Sequence, residues 1–274
     1  MSQSSSYPAS NPAQTFEDFY VPCIFRPWTG ELLDRARPRS GERVLDVACG
    51  TGIVARIVAQ QLNREVHVTG IDYSSAMLDV ARVAAAGEHV EIEWVEGNAE
   101  QLPFPNASFD FVLVQQGLQF FRDKALAVGE IYRVLTLGGR VVSSTWTDIE
   151  NNPFNKTFAM EIRRHLGISE EPTAFSLGNR ASLRALFVDA GFDEIEVEVV
   201  RRDVRYPSPH QFVELGVASA SATVPELRSM DAERRTELVE AIRTDMAAPI
   251  RQYTVGDELV CPMEAHIVVA RKTT

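Results

Sequence analysis

Residues 44–52 read Val-Leu-Asp-Val-Ala-Cys-Gly-Thr-Gly, and a helical pattern, Ile53-Val54-Ala55-Arg56-Ile57-Val58, follows at once. The apolar residues Val44, Leu45 and Val47 favour a strand, which runs into a turn of small residues. A strand that turns sharply into a helix on glycines lets a ligand approach bare backbone at a helix N-terminus. Gly50-x-Gly52-x-x-Ala55 matches the loose dinucleotide fingerprint, and Asp72 lies 20 residues after Gly52, where a ribose-binding acid is expected. Asp46, at the carboxyl end of the strand, separates the candidate ligands. A carboxylate there repels a pyrophosphate and suits a cationic amino group. S-adenosylmethionine carries an ammonium, a sulfonium and a ribose but no phosphate, so Asp46 favours it over NAD.

Three further stretches stand downstream in order: Ile71-Asp72-Tyr73-Ser74-Ser75-Ala76-Met77-Leu78, Glu96-Gly97-Asn98-Ala99-Glu100-Gln101-Leu102-Pro103-Phe104 and Ser108-Phe109-Asp110-Phe111-Val112. With Val44–Gly52 they resemble the class I S-adenosylmethionine-dependent methyltransferases, most closely the ubiquinone/menaquinone-biosynthesis type (methyltransferase type 11). The resemblance covers residues 40–146 well, is thinner before them and is poor over 147–257. It implies a Rossmann-like, doubly wound α/β fold: a mostly parallel seven-stranded sheet with an antiparallel last strand, here with helical cap insertions.

Composition bounds the alternatives. The 274 residues allow one α/β domain with insertions, and 45% hydrophobic with 24% charged residues is ordinary for a globular chain. A net charge of −11 argues against nucleic acid or an anionic membrane as the main partner. Three cysteines, Cys23, Cys49 and Cys261, give neither a disulfide frame nor a zinc site, and no metal is expected. A reduced cytoplasm is the expected location. The Ser-rich residues 1–12 read as a disordered tail.

Along the chain, strands are expected at 43–48, 66–72, 91–95, 109–115 and 139–146, with helices at 52–62, 74–86 and 123–135. That alternation means βαβ units and a parallel sheet. Residues 13–40 form an N-terminal helical segment in which Phe16, Phe19, Tyr20, Phe25 and Trp28 crowd around Pro22 and Pro27. It reads either as a lid over the mouth of the site or as a helix packed on the core edge. The methyltransferase domain spans 41–274. Insertions at 147–180 and 207–257 are expected to form a substrate cap, the second through an amphipathic helix with Leu238, Val239, Ile242 and Met246.

Candidate cofactor residues are Asp46, Ala48, Gly50 and Gly52 in the turn, Asp72 for the ribose hydroxyls, Tyr73 and Met77 beside the adenine, and Gln115 for the methionine part. Asn98 and Ala99 follow the third strand. The resemblance implies an Asp at Asn98 that accepts from the adenine amino group, and Asn keeps one carbonyl acceptor for the purpose. Tyr20, Phe25, Trp28, Gln116, Gln119 and Trp146 are candidates for the acceptor side. His165 and His210 fall in the insertions, as bases or as surface residues. No catalytic residue is legible, because methyl transfer from a sulfonium needs little beyond in-line placement and exclusion of water.

The expected function is an S-adenosylmethionine-dependent methyltransferase acting at O, C or N of a small natural-product or quinone-like molecule, in secondary metabolism, with a homodimer possible. The alternatives are a protein of the same fold that runs another reaction, such as a cyclisation, and a non-catalytic regulatory partner.

Overall fold

The computed structural model describes residues 11–62 and 65–273. The strands are β1 (Arg43–Val47), β2 (His67–Asp72), β3 (Glu93–Glu96), β4 (Phe109–Gln115), β5 (Leu135–Trp146), β6 (Asp193–Tyr206), β7 (Thr254–Val255) and β8 (Glu258–Arg271). The helices are α1 (Pro12–Thr15), α2 (Arg26–Ala36), α3 (Ile53–Gln61), α4 (Ser75–Gly87), α5 (Lys124–Val134), α6 (Pro153–Leu166), α7 (Arg180–Asp189), α8 (Pro209–Ala220), α9 (Pro225–Arg228), α10 (Ala232–Asp245) and α11 (Ala247–Tyr253). Strand order is β3-β2-β1-β4-β5-β8-β6, and the two-residue β7 pairs with β8 as an eighth strand beyond the seven expected. The first five strands run parallel. β8 opposes β5: Gly138 N–H donates to Lys272 C=O and Thr147 N–H to Glu264 C=O, so one number rises as the other falls. The antiparallel last strand is therefore present. No helix among the described residues is long and apolar enough to cross a membrane.

The chain divides into two compact units. The first holds the described residues of 11–145, 181–198 and 267–273. Its central strands are buried on both faces, with Val44, Leu45, Val47, Phe111, Val112 and Leu113 shielded, as parallel strands covered by helices require. Local chemistry sets the helix starts. Ser74 Oγ accepts from Met77 N–H at the head of α4, and Asp123 Oδ1 accepts from Leu126 N–H at the head of α5. The expected tail 1–12 lies outside the described residues except for Asn11 and Pro12. Those two are ordered, since Asn11 Oδ1 caps α1 by accepting from Ala13 and Gln14 N–H.

The aromatic N-terminal segment is helical, but Phe16–Phe25 is a π-helix with Pro22 inside it. Proline removes an N–H and clashes with the preceding turn of an α-helix, and the wider turn relieves both. Phe19 and Trp28 are buried in the unit's core at 3% and 1% exposure, so the segment's aromatic face is packed. It is fastened at two points. Arg56 of α3, 2% exposed, pairs with Glu17 (2.6 Å) on the π-helix and with Glu88 (2.5 Å) just past α4. Arg140 binds Glu42 and the carbonyls of Ala36 and Arg37 at the end of α2, with its guanidinium over the Phe111 ring.

The second unit holds 146–180 and 199–266. It closes on its own aromatic cluster, in which Phe212 stacks edgewise against Phe154, Phe158 and Tyr206. Gly216 makes room for it, since a Cβ there would lie 2.5 Å from Phe158 Cζ. Leu238, Val239, Ile242 and Met246 are buried, so the apolar face of α10 is used inside this unit.

The Arg56 cluster gives the first prediction. Arg56→Leu leaves the partly buried Glu17 without its cation and Glu88 with only Arg26 at 3.6 Å; breaking a buried pair costs 3–5 kcal/mol, and that second cation and the carboxylates' residual exposure favour the low end, about 3 kcal/mol. Urea titration should show that loss together with faster proteolysis within residues 16–25. Unchanged stability would mean that the bridge contributes nothing.

Candidate functional site

The turn after β1 is shaped by its neighbours. Ala48, Gly50 and Gly52 all have left-handed backbones, with φ of 56°, 56° and 80°. Gly50 N–H donates to Asp72 Oδ2 (2.8 Å), and Ser74 N–H donates to Asp72 Oδ1 (3.0 Å). Asp72 thus ties the glycine turn to the end of β2 and the start of α4, while Ser74 is the helix cap. Each carboxylate oxygen keeps lone-pair capacity for a ribose hydroxyl.

The glycines are needed for a reason that the motif alone does not reveal. A Cβ on Gly52 would lie 2.2 Å from Cη2 of Trp94, and one on Gly70 would lie 2.5 Å from its Cζ3. The indole from β3 therefore crosses β2 at Gly70 and reaches the head of α3. Gly50 faces the ring of Phe16, 3.6 Å from the missing Cβ, and Gly117 faces Ala48 Cβ at 2.8 Å. Positive φ accounts for Gly50, and positive φ together with the close approach of Trp94 accounts for Gly52, before any ligand is considered.

Asp46 is a correction to the charge argument. It is 1% exposed, lies beneath the turn, and accepts from Ala55 N–H through Oδ2 (3.1 Å). Burial pushes its carboxyl up to about 8, so at neutral pH it is largely protonated and presents little charge to a pyrophosphate or an ammonium. Burial also raises Asp72, against the backbone donors of Ser74 and Gly50. The Cys49 thiol is pushed up by burial and by the nearby Asp46 and Asp72, which suits an inert filler.

Around the turn, Tyr73 is 81% exposed beside Asp72, and Ala99 is buried. Met77 lies half-buried in the first turn of α4. Asn98 forms a local turn: its Oδ1 accepts from Glu100 N–H (2.9 Å) and its backbone bridges Gln101. An adenine contact is left the second lone pair of that oxygen. Gln115 differs from expectation. Thr29 Oγ1 donates to its Oε1 and its Nε2 donates to the Phe25 carbonyl, both at 2.8 Å. The amide fastens α2 to the end of β4, which leaves one N–H and one lone pair of Gln115 for any other contact.

On the acceptor side, Tyr20 and Phe25 are half-buried, whereas Trp28 is core rather than the wall of an open mouth. Gln116 and Gln119 are brought together, with Gln119 Nε2 donating to Gln116 Oε1 (3.0 Å). Trp146 is buried and belongs to the second unit. In that unit His165 bonds Asp245 (2.8 Å) beside Glu161. Arg164 pairs with both carboxylates, so a guanidinium already supplies the cation and the trio does not call for a metal.

The residue missed by sequence reasoning is Thr51. It is fully buried between the two glycines, and its Oγ1 has no hydrogen-bond partner among the described residues. Its position inside the turn was the available signal. An orphan hydroxyl costs stability unless something binds it. Thr51 stands next in sequence to Gly50, whose N–H is held by Asp72, so a polar group entering the glycine turn would find its hydroxyl without a partner.

Comparison with known proteins agrees with that chemistry. A model of the ubiE/COQ5 methyltransferase family matches residues 16–168, more than half of the chain. A demethylmenaquinone methyltransferase from Listeria welshimeri is 34% identical over 185 residues, spanning 61% of this chain and 77% of that protein. Among solved structures, the YcgJ protein of Bacillus subtilis has a TM-score of 0.62 at 20% identity, covering 91% of this chain and 99% of that one. A putative methyltransferase from Bacillus halodurans has a TM-score of 0.60 at 25% identity, covering 90% and 99%.

The buried carboxyl yields a pH prediction. Its folded value of about 8 stands above the ordinary 3.8, so the stability it contributes is complete below pH 4 and is lost as pH rises through 8. Asp46→Asn keeps an acceptor for Ala55 N–H and does not titrate. Its stability advantage over the wild type should grow between pH 4 and 8, by on the order of 5 kcal/mol. Urea midpoints measured across that range check this, and a constant difference would show that Asp46 ionises normally.

Proposed function

Because the chain belongs to the ubiE/COQ5 methyltransferase family, we propose that its acceptor is a prenylated naphthohydroquinone and that the methyl goes to a ring carbon. That the chain is an S-adenosylmethionine-dependent methyltransferase follows from the family itself. The acceptor reading is carried by one observation, the Listeria relative named demethylmenaquinone methyltransferase, of which this chain covers 77%. The reading puts the chain in quinone synthesis rather than secondary metabolism. It also disfavours the cyclase and regulatory alternatives.

When bound, S-adenosylmethionine supplies a methyl on a positively charged sulfur. On this reading Asp72 receives the ribose hydroxyls, Thr51 Oγ1 meets a polar group of the cofactor's amino-acid part, and Tyr73 and Met77 flank the adenine, with Asn98 and Ala99 along its edge. The acceptor's ring carbon, made electron-rich by the adjacent hydroxyl, forms the new carbon–carbon bond as the sulfur–methyl bond breaks. The electron pair stays on sulfur, and the ring proton leaves to water. No strong base is required, since the phenolic oxygen feeds the carbon. The family match ends at residue 168, which supports assigning acceptor choice to later segments, the insertion 207–257 and the rest of 147–180. The N-terminal segment 13–40 is assigned to closing the cofactor site, a role compatible with Phe16 resting on Gly50.

The test is turnover with S-adenosylmethionine and a short-chain 2-prenyl-1,4-naphthohydroquinone. A C-methylated product reoxidises to a quinone that keeps the methyl, whereas an O-methyl ether blocks reoxidation. Mass spectrometry after air oxidation therefore distinguishes the two, and no methylated product would sink the proposal. Asp72→Ala should weaken cofactor binding by about 1.5–3 kcal/mol, the worth of hydrogen bonds to a charged group. Calorimetric titration giving wild-type affinity would mean that Asp72 only braces the turn.

A further inference from the structure

Four buried polar atoms without partners among the described residues cluster at the carboxyl ends of two neighbouring strands: Gln116 Nε2 and the hydroxyls of Ser143, Ser144 and Thr145. All four residues lie in the first unit and are at most 5% exposed. Natural proteins pair such groups, because an orphan costs the full desolvation of a donor. Ligands bind outside the carboxyl ends of strands in this kind of sheet.

The register sorts the four. Gln115 pairs with Ser144 and Val114 with Ser143, so Ser144 shares the face of Gln115, which is filled by Thr29 and Phe25. Strand alternation puts Ser143 and Thr145 on the opposite face, with Thr145 at the strand tip, level with Gln116. Gln116 N–H holds the Ser144 carbonyl (3.0 Å), and its own backbone is left-handed at φ 53°, a costly conformation for a non-glycine residue that takes its side chain off the strand's alternation. Gln119 then fixes the amide's polarity. Its Nε2 occupies Gln116 Oε1, which leaves Gln116 presenting only N–H donors. An amide donor and a hydroxyl at the same level of neighbouring strand ends, both shielded from water, suit an oxygen that carries or gains negative charge.

We propose that Gln116 Nε2 and Thr145 Oγ1 are the specificity-determining donors of this enzyme, binding the acceptor's hydroxyl or oxo oxygen next to the carbon that is methylated. The proposal rests on the hydroquinone reading above and deepens it. Hydrogen bonds from this pair stabilise the phenolate character that makes the carbon nucleophilic, so the site selects acceptors by that oxygen rather than by the hydrocarbon ring.

The test uses the full chain with S-adenosylhomocysteine and two probes, a short-chain 2-prenyl-1,4-naphthohydroquinone and the 2-prenyl-1-naphthol that lacks the 4-hydroxyl. The wild type should bind the hydroquinone about tenfold to a hundredfold more tightly, the range expected for donors to a charged oxygen. Gln116→Met and Thr145→Val should each shrink that ratio to a few-fold and lower kcat on the hydroquinone. Ser144→Ala, on the other face, should leave the ratio unchanged. Thr145→Val removes a hydroxyl that has no protein partner and should melt at or above the wild type, which controls for folding, whereas Gln116→Met also removes the Oε1 that accepts from Gln119 Nε2 and should melt somewhat lower while staying folded at the assay temperature. A ratio that persists in both variants, with wild-type turnover intact, overturns the donor pair alone and leaves these atoms to buried water. A wild type that does not methylate the hydroquinone overturns the acceptor reading, and the donor assignment falls with it.

Discussion

Asp72 is the constraint on which the rest of the site depends. The turn's own backbone bonds, Cys49 N–H to Ile71 C=O and Gly52 N–H to Cys49 C=O, leave Gly50 N–H to be met by a side chain. The carboxylate at the end of β2 takes Gly50 N–H on one oxygen and Ser74 N–H on the other. One side chain thereby sets the turn after β1 against the helix after β2, and the ends of two adjacent strands become a single rigid edge. Its remaining lone pairs are thereby held in a fixed position. A ribose would meet acceptors that need no reorganisation, which is where the binding energy of such sites comes from.

Much of this was legible before any coordinates. The strands and helices of the first half announce themselves by period, and the 20-residue spacing from Gly52 to Asp72 marks the edge. Other features lie beyond pattern reading because they are contacts between residues distant in sequence. Nothing local says that Trp94 will cross Gly70 to reach Gly52, yet that indole is what forbids a side chain at either glycine. Asp46 shows the opposite failure. Its position was legible but its charge state was not, because a carboxyl's ionisation is decided by burial, which a sequence does not display.

The N-terminal segment is packed on the core, as the second of the two readings expects. Phe19 and Trp28 are core, and Arg56, Gln115 and Arg140 fasten the segment by charge and amide contacts. A segment held by three separate polar anchors and two buried rings is a structural wall of the first unit. It still rests one ring, Phe16, on the glycine turn. The same helix that buries Phe19 in the core sets the edge of Phe16 against the turn.

The acceptor half of the chain was harder to read for a chemical reason. Displacement at a sulfonium methyl needs alignment and dryness, and neither demands a particular residue type or spacing. Motifs arise where chemistry is exacting, so the cofactor edge carries several and the acceptor side carries none. What replaces a motif there is an imbalance. Polar atoms in the interior of a folded chain are normally satisfied, and a donor that lacks a partner while its neighbour is held in a left-handed backbone has no stability rationale of its own. The fold uses Gln116 Oε1, which Gln119 holds, but it uses neither Gln116 Nε2 nor Thr145 Oγ1, and that is the ground for assigning those two atoms to a bound oxygen.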